Sequence, residues 1–224
     1  MANMQLRPGM AMVLDMDGVV VDSNPLHIQA WMSYNRRFGI DIGEDLGERM
    51  YGKRNDEIVR DFFGPQLSSA EVAAHGAAKE VLYREMLGPA LEKALVPGVG
   101  DFLRRHAGDA IGLATNAEPA NVDYILDGSG LRAYFRVIVD GHQVRHPKPH
   151  PEIYLRAAEL LSVQPRNCIV FEDSVSGVRA AQGAGARIVG LRTTHHDLPG
   201  ADLAIDNFKS PVLEAWLRAQ TADV

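Results

Sequence analysis

The sequence predicts an α/β protein with a doubly wound parallel sheet and an inserted helical segment. Two observations support this prediction: short apolar runs alternate with amphipathic stretches, and one helix-rich segment near the start of the chain interrupts that alternation. The apolar runs are mostly continuous, as expected for strands of a parallel sheet that is covered on both faces. With 224 residues, the chain is long enough for one large domain or for a domain with a smaller insertion.

The regular elements follow from this alternation, taken in chain order. The predicted strands are Ala11–Asp15, Ala110–Thr115, Arg136–Val139, Cys168–Phe171, Arg187–Leu191 and Leu203–Ile205. The amphipathic stretches between them are predicted helices at Gly98–Arg105, Pro119–Asp127, Pro151–Leu161 and Val175–Gly183. Such strand–helix repeats favour right-handed crossovers between parallel strands.

The segment from Pro25 to Leu95 has helical patterns and almost no strand signal. Asn24 before Pro25 is typical of a helix N-cap with a first-turn proline. Ser68 with Glu71 three residues later is typical of a capping box. We therefore expect a core domain at 1–23 and 96–224 and a helical cap domain at 24–95. The predicted apolar face of the first cap helix contains Leu26, Ala30, Met32 and Phe38.

Composition and charge exclude several classes of protein. The formal net charge of −6 disfavours a nucleic-acid partner, and no basic run is long enough for a membrane-surface patch. The single cysteine, Cys168, cannot form an internal disulfide and lies in an apolar run, so we expect a buried, inert thiol in a reducing compartment. Met1 to Pro8 lacks the apolar core of a signal peptide, and no stretch is long enough to span a bilayer. We expect a soluble, cytoplasmic protein, either a monomer or a weak homo-oligomer.

Three of the predicted strands end in polar residues. Because parallel strands end at the same edge of a sheet, we expect these residues to gather where ligands of open α/β proteins bind. A lysine in a loop between two prolines can reach the same edge. The residues concerned are Asp15 and Asp17, Thr115 and Asn116, Glu172 and Asp173, and the loop residue Lys148.

This set of residues has the chemistry of a phosphoryl-transfer site. Asp15, Asp17 and Asp173 supply hard oxygen ligands, which suit magnesium. Asp15 could attack phosphorus and form an aspartyl-phosphate, while Lys148 offsets negative charge. Thr115 and backbone amides after the first strand would donate hydrogen bonds to phosphoryl oxygens. Asp17 could protonate the leaving oxygen and later accept a proton from water.

Four motifs in order resemble those of the haloacid dehalogenase-like (HAD) superfamily, over nearly the whole chain. The resemblance implies a Rossmann-like core, a mobile cap and a Mg²⁺ cofactor. It also implies Asp15 as nucleophile, Asp17 as general acid/base and metal ligand through its backbone oxygen, and Thr115 with Lys148 as catalytic residues. Asp17 argues for phosphoryl chemistry, because dehalogenating members lack this second acid. The motifs are Asp15-x-Asp17-Gly18-Val19-x-x-Asp22-Ser23; Thr115-Asn116; Lys148-Pro149-x-Pro151-Glu152-Ile153-Tyr154; and Glu172-Asp173-Ser174-x-x-Gly177. The implied metal positions are Asp15, Asp17 and Asp173, assisted by Glu172, and the implied phosphate-binding residues are Thr115, Asn116 and Lys148.

The helical insertion resembles the cap of the β-phosphoglucomutase-like branch of this superfamily. The implied substrate-binding positions are His27, Trp31, Gly52, Arg54 and Lys79.

The cap and the loop after the second strand depart from the mutase in ways that favour a phosphatase. Where the mutase has an arginine that grips a second phosphate, this chain has Asn55, with Arg54 one residue earlier. Glu118, in the sequence Ala117-Glu118-Pro119, would repel a second phosphate. The prediction is a magnesium-dependent phosphatase of a small phosphomonoester, most plausibly a sugar phosphate.

Other interpretations are open at this stage. They are a β-phosphoglucomutase-type mutase, a phosphonate hydrolase that uses a cap lysine, for which Lys53 lies near the relevant region, and a non-catalytic binding protein. The cap residues could equally have no contact with substrate. Trp31 would then pack in a helix interface, and the charged residues would be solvated. We expect His195-His196-Asp197 to form a surface loop away from the motifs.

Overall fold

The computed structural model describes residues 6–41, 43, 46–47 and 53–221. The chain forms two compact units, which we call the core unit (Met1–Asp22 with Leu95–Val224) and the cap unit (Ser23–Ala94).

The core unit is built on a parallel sheet of six strands in the order β3-β2-β1-β4-β5-β6. The first strand lies in the middle, because Met12 is in register with Ile111 on one side and with Ile169 on the other. All four residues of this strand are buried. The predicted α/β fold is therefore confirmed, with strand ends within about one residue of those predicted. The strands are β1 (Ala11–Leu14), β2 (Ile111–Ala114), β3 (Val137–Val139), β4 (Cys168–Glu172), β5 (Arg187–Leu191) and β6 (Leu203–Ile205).

The helices flank this sheet or make up the cap unit. Among the described residues, no helix is both long and apolar enough to cross a bilayer. Short 3₁₀ turns occur at Gly88–Ala90, Arg132–Tyr134 and Pro165–Asn167. The cap helices are α1 (Asn24–Arg36), α2 (Asn55–Phe63), α3 (Ser69–Leu87) and α4 (Leu91–Ala94), and the core helices are α5 (Val99–Arg105), α6 (Pro119–Gly128), α7 (Glu152–Leu160), α8 (Val175–Ala184) and α9 (Pro211–Thr221).

One face of the sheet packs against α7 and α8. Val13 of β1 and Val170 of β4 are fully buried there, together with Ala157 of α7 and Val178 of α8. The small side chain of Ala157 lets α7 lie close to its neighbours. This packing fixes the first turns of both helices at the carboxyl ends of the strands.

The cap unit has its own hydrophobic core, where α1 and α2 both pack against α3. Trp31 is fully buried, and Tyr34, Ile58 and Val72 are nearly so. The predicted capping box is confirmed, because Ser68 N–H donates to Glu71 at 2.8 Å and Glu71 N–H donates to Ser68 Oγ at 3.3 Å.

Two expectations for the first cap helix were wrong. Ser23, not Asn24, is the N-cap of α1, and its side chain makes no capping hydrogen bond. Phe38 lies beyond the last turn of α1 and is 52% exposed, so it is not part of the buried face.

The chain leaves and re-enters the core unit at adjacent points. Val21 and Leu95 form an isolated antiparallel bridge, and Val96 N–H donates to the Val20 carbonyl at 3.0 Å. The two connecting segments are therefore paired within the core unit.

Candidate active site

The candidate active site lies at the carboxyl ends of β1, β2 and β4. Asp15 follows β1, and its N–H donates to the Phe171 carbonyl of β4 at 3.0 Å. Thr115 follows β2, and its N–H donates to Val139 of β3 at 3.0 Å. The strand order reverses at β1, because β2 and β3 lie on one side of it and β4, β5 and β6 lie on the other. The carboxyl edge beside β1 is therefore the topological switch point, where open α/β proteins bind ligands. The structure places Asp15, Lys148, Glu172 and Asp173 together here.

Lys148 connects the two acidic strand ends. Its Nζ lies 2.9 Å from Asp15 Oδ1 and 2.7 Å from Glu172 Oε1, and it donates to the Ala114 carbonyl at 3.0 Å. Burial alone would lower the pKa of Lys148, but the two carboxylates outweigh burial and raise that pKa above its ordinary value. Lys148 is therefore a buried, permanently charged ammonium beside Asp15.

Hydrogen bonds shape the loop that carries Lys148. Glu152, at the start of α7, accepts N–H groups from Arg145 at 2.8 Å and from His146 at 3.1 Å. The N–H of Arg145, together with the His146 side chain at 2.8 Å and the His146 N–H, lowers the pKa of Glu152 to about 2. Asn116 Oδ1 accepts the Lys148 N–H at 3.3 Å, so the predicted residue Asn116 contacts the lysine's backbone.

Glu172 is fully buried and holds both oxygens in hydrogen bonds. Oε1 accepts from Lys148 Nζ and from the Tyr154 hydroxyl, while Oε2 accepts from the N–H groups of Asp173 and Ser174 at 3.1 and 3.2 Å and from Ser174 Oγ at 3.1 Å. Burial raises the pKa of Tyr154 well above its ordinary value, so its hydroxyl remains a donor. Gly177 is required nearby, because a Cβ there would overlap the Glu172 carboxyl group.

The surroundings of Asp15 and Asp173 destabilise the ionised forms of both carboxyl groups. Burial, followed by the charges of Glu172 and Asp17, raises the pKa of Asp15 to about 7, against the lowering effect of Lys148. Burial and the Glu172 and Asp15 charges raise the pKa of Asp173 well above its ordinary value. Two carboxylates with raised pKa values indicate a site that is short of positive charge.

Asp17 and Thr115 complete the edge. Asp17 is half-buried in a tight turn, in which the N–H groups of Val20 and Val21 donate to the Met16 carbonyl at 2.8 and 3.1 Å. Thr115 is buried, and its Oγ1 accepts the Ala117 N–H at 3.1 Å. An accepting hydroxyl still has its own proton to donate.

The carboxylates fit a magnesium ion. Ligand oxygens of Asp15, Glu172 and Asp173 all lie within 4.8 Å of one another. Asp15 Oδ1 is buried and accepts no hydrogen bond from the described residues, although the Lys148 charge is close. Three buried carboxylates and one ammonium leave a net negative cluster of hard oxygens, which suits Mg²⁺ better than a soft metal.

The predicted cap residues are only partly brought together. Lys79 Nζ lies 3.1 Å from His27 Nδ1 and 5.0 Å from the centre of the Trp31 ring. Arg54 is instead the N-cap of α2, and its side chain lies 3.7 Å from Asp56. Gly52 lies outside the described residues.

Two residues that contact the candidate site were not predicted from the sequence. The Thr194 hydroxyl donates to Asp173 Oδ2, and Thr193 Oγ1 donates to the Gly18 carbonyl at 2.6 Å. The loop before His195 therefore reaches the site, and the expectation that it lies away from the motifs was wrong. No local signal marks these threonines.

The comparisons with known proteins agree with this architecture. The model of the family described as haloacid dehalogenase-like hydrolase matches residues 10–185. The chain belongs to the haloacid dehalogenase-like hydrolases. The resemblance drawn from the motifs is thereby confirmed.

Relatives of this family member include sugar-phosphate enzymes. Fructose-1-phosphate phosphatase YqaB of Escherichia coli is 31% identical over 81% of this chain and 95% of its own length. A phosphorylated carbohydrates phosphatase of Thermotoga maritima is 35% identical over 81% of this chain and 84% of its own. The crystal structure of a beta-phosphoglucomutase from Clostridium difficile superposes with a TM-score of 0.83 at 26% identity, covering 95% of this chain and 96% of that one.

Proposed function

We propose that this hydrolase is a magnesium-dependent phosphatase that hydrolyses a small phosphorylated carbohydrate through an aspartyl-phosphate on Asp15. The observation that carries the proposal is the buried pair of Asp15 and Lys148, whose Oδ1 and Nζ atoms are 2.9 Å apart at the switch point of the sheet. A carboxylate held beside a fixed ammonium can approach a phosphate dianion with less repulsion. The phosphatase names of two relatives support the reaction, and their carbohydrate substrates support the substrate class.

Asp15, Asp173 and the backbone oxygen of Asp17 would hold the metal. Bound there, magnesium would offset the negative charge of the carboxylates and of the incoming phosphate. Glu172 has five donors of its own, so its role is to hold Lys148 and the start of α8 in place rather than to supply the main ligand.

The reaction divides into two displacements. In the first, a carboxylate oxygen of Asp15 bonds to phosphorus while the bond from phosphorus to the sugar oxygen breaks. The electron pair remains on the sugar oxygen, which takes the proton of the Asp17 carboxyl group. Lys148 and the Thr115 hydroxyl stabilise the phosphoryl oxygens.

In the second displacement, water replaces the aspartate. The water oxygen bonds to phosphorus, and the Asp17 carboxylate takes one of its protons. The bond from phosphorus to Asp15 breaks, its electron pair returns to the carboxylate, and phosphate leaves. Asp17 is thereby protonated again for the next sugar phosphate.

A mutase is the second candidate, because the fold also matches a beta-phosphoglucomutase. A mutase must bind two phosphate groups. Asn55 and Glu118 provide no positive charge for the second one, and this favours the phosphatase.

The Asp15→Asn variant tests the nucleophile. We expect phosphate release to fall about a thousandfold or more, because an amide is a poor nucleophile, while the circular dichroism spectrum stays unchanged. Asp101→Asn, the same change on the exposed surface of α5, is the control. Near-normal phosphate release by Asp15→Asn would exclude the aspartyl-phosphate mechanism.

Chelation tests the metal requirement. After treatment with EDTA we expect no phosphate release, and added Mg²⁺ should restore it. Full activity in the chelated protein would contradict the proposed cofactor.

A further inference from the structure

A second group of metal-binding side chains lies on the loop that carries Lys148. Within the described residues, two such groups of three have ligand atoms that all lie within 4.8 Å of one another. One is the acidic cluster at the strand edge. The other consists of His146, His150 and Glu152, which we call the loop triad. The proposed phosphoryl transfer gives its two histidines no role.

Alternate prolines restrict the backbone of this loop. Residues 146–152 read His-Pro-Lys-Pro-His-Pro-Glu, and each proline fixes its own φ at about −65°. The side chains of His146 and His150 are 62% and 50% exposed, whereas Lys148 between them is buried. The same short segment therefore directs its lysine to the strand edge and leaves both imidazole rings open to an ion from solvent.

The distances within the loop triad suit a tetrahedral ion. Glu152 Oε2 lies 2.8 Å from His146 Nδ1 and 3.9 Å from His150 Nδ1. Bonds from Zn²⁺ to nitrogen and oxygen are about 2.0–2.2 Å, so the ligand atoms of a tetrahedral ion are roughly 3.3 Å apart. The two distances lie on either side of this value, and small rotations of the exposed rings would bring both to it. An ion would then replace the bond from the Glu152 N–H to His150 Nδ1 at 3.2 Å.

The carboxylate of the triad is already oriented and ionised. Glu152 begins α7 and accepts the N–H groups of Arg145 and His146 at 2.8 and 3.1 Å. Its pKa, lowered to about 2 by these contacts and by the His146 side chain, leaves it fully charged at neutral pH. Ligating carboxylates in metal sites are usually held by hydrogen bonds of this kind. Glu152 would therefore lose little freedom on binding an ion.

The donor atoms of the two groups select different ions. Two imidazoles with one carboxylate suit Zn²⁺ and similar transition ions, whereas Mg²⁺ prefers oxygen ligands. The strand-edge group offers carboxylates alone. Three protein ligands also leave the fourth position of a tetrahedral Zn²⁺ ion to water.

We propose that the loop triad is a second metal site, which binds one transition ion of the Zn²⁺ type per chain. The ion would join His146 and His150 of the loop to Glu152 in the first turn of α7. The inference does not depend on the proposed phosphatase function, because neither the substrate nor the strand-edge cation takes part in it.

The test is calorimetric titration of the untagged full chain with Zn²⁺, in excess Mg²⁺ so that the strand edge has its preferred ion. We expect one Zn²⁺ ion to bind per chain. His146→Asn and His150→Asn should each weaken binding by about tenfold or more, because each removes one of three protein ligands. His142→Asn is the matched control, since His142 is exposed on the same loop but outside the triad. The control should change the affinity by less than about twofold.

Nitrogen-15 NMR of the histidine rings in the unaltered protein gives a second measurement that needs no variant to fold. Addition of Zn²⁺ should shift ring-nitrogen signals of His146 and His150 and leave those of His142 in place. Absence of Zn²⁺ binding, unchanged affinity in both triad variants, or shifts confined to other histidines would overturn the inference. One ion for every two chains, accompanied by dimer formation, would also overturn it, because the ion would then be shared between copies.

Discussion

The hydrogen bond from Tyr154 to Glu172 gives the sharpest test of how Lys148 is held. In Tyr154→Phe the ring stays, packed 5.0 Å from Lys148 Nζ, and only the hydroxyl is removed. Loss of a hydrogen bond to a buried charged acceptor costs about 1.5–3 kcal/mol. For a chain of this size, that corresponds to a fall in Tm of about 3–12 °C.

The same substitution should slow catalysis. With the hydroxyl gone, Glu172 Oε1 has Lys148 as its remaining side-chain donor, so the ammonium is drawn toward Glu172 and away from Asp15. We expect kcat for p-nitrophenyl phosphate to fall roughly tenfold with little change in KM, because positioning in the transition state is lost.

Thermal melting and steady-state kinetics measure both effects, with Tyr124→Phe as the control at a side chain that is 38% exposed. The reasoning is refuted if Tyr154→Phe melts within about 1 °C of the unaltered protein and retains its kcat.

Four further outcomes follow from two glycines and the cysteine. Gly177→Ala should destabilise the protein by about 1–3 kcal/mol in urea unfolding, because the new methyl group overlaps the Glu172 carboxyl group. Gly100→Ala, where the nearest atom would be 3.9 Å away, should instead stabilise it by up to about 1 kcal/mol, and equal effects would contradict this contrast. Burial raises the pKa of Cys168 from about 9 to about 11, so at pH 8 the native thiol should react with Ellman's reagent at least about a hundredfold more slowly than in urea. Fast labelling of the native protein would contradict the raised pKa of this thiol. Because the folded-state pKa is raised, the stability that the thiol contributes should be present below pH 9 and lost between about pH 9 and 11.

The sheet and its edge were predictable because they depend on local pattern. Short apolar runs, most of them continuous, marked all six strands. The parallel arrangement then places the polar residues at the strand ends along one edge of the sheet. Asp15 and Asp173 could therefore be predicted to converge although they lie far apart in the sequence.

Residues that depend on tertiary contacts were not predictable in the same way. Thr194 and Glu80 have ordinary polar neighbours in the sequence, and only the folded chain shows that one donates to Asp173 and the other pairs with buried Lys79. Tyr154 was part of a recognised motif, but an aromatic residue in a helix is usually assigned to packing. Its hydroxyl acquires a role because α7 begins beside the end of β4.

The pairing of Val21 with Leu95 has a consequence for the evolution of this protein. The core unit itself holds the two ends of the insertion together, so the sheet does not depend on how many residues lie between them. The entropic cost of closing the inserted loop also rises only slowly with its length. The inserted helices can therefore be exchanged for those of a relative, or replaced by a short turn, while the sheet and its acidic edge persist. The inserted helices and the acidic edge of the sheet are thus encoded in separable stretches of the chain.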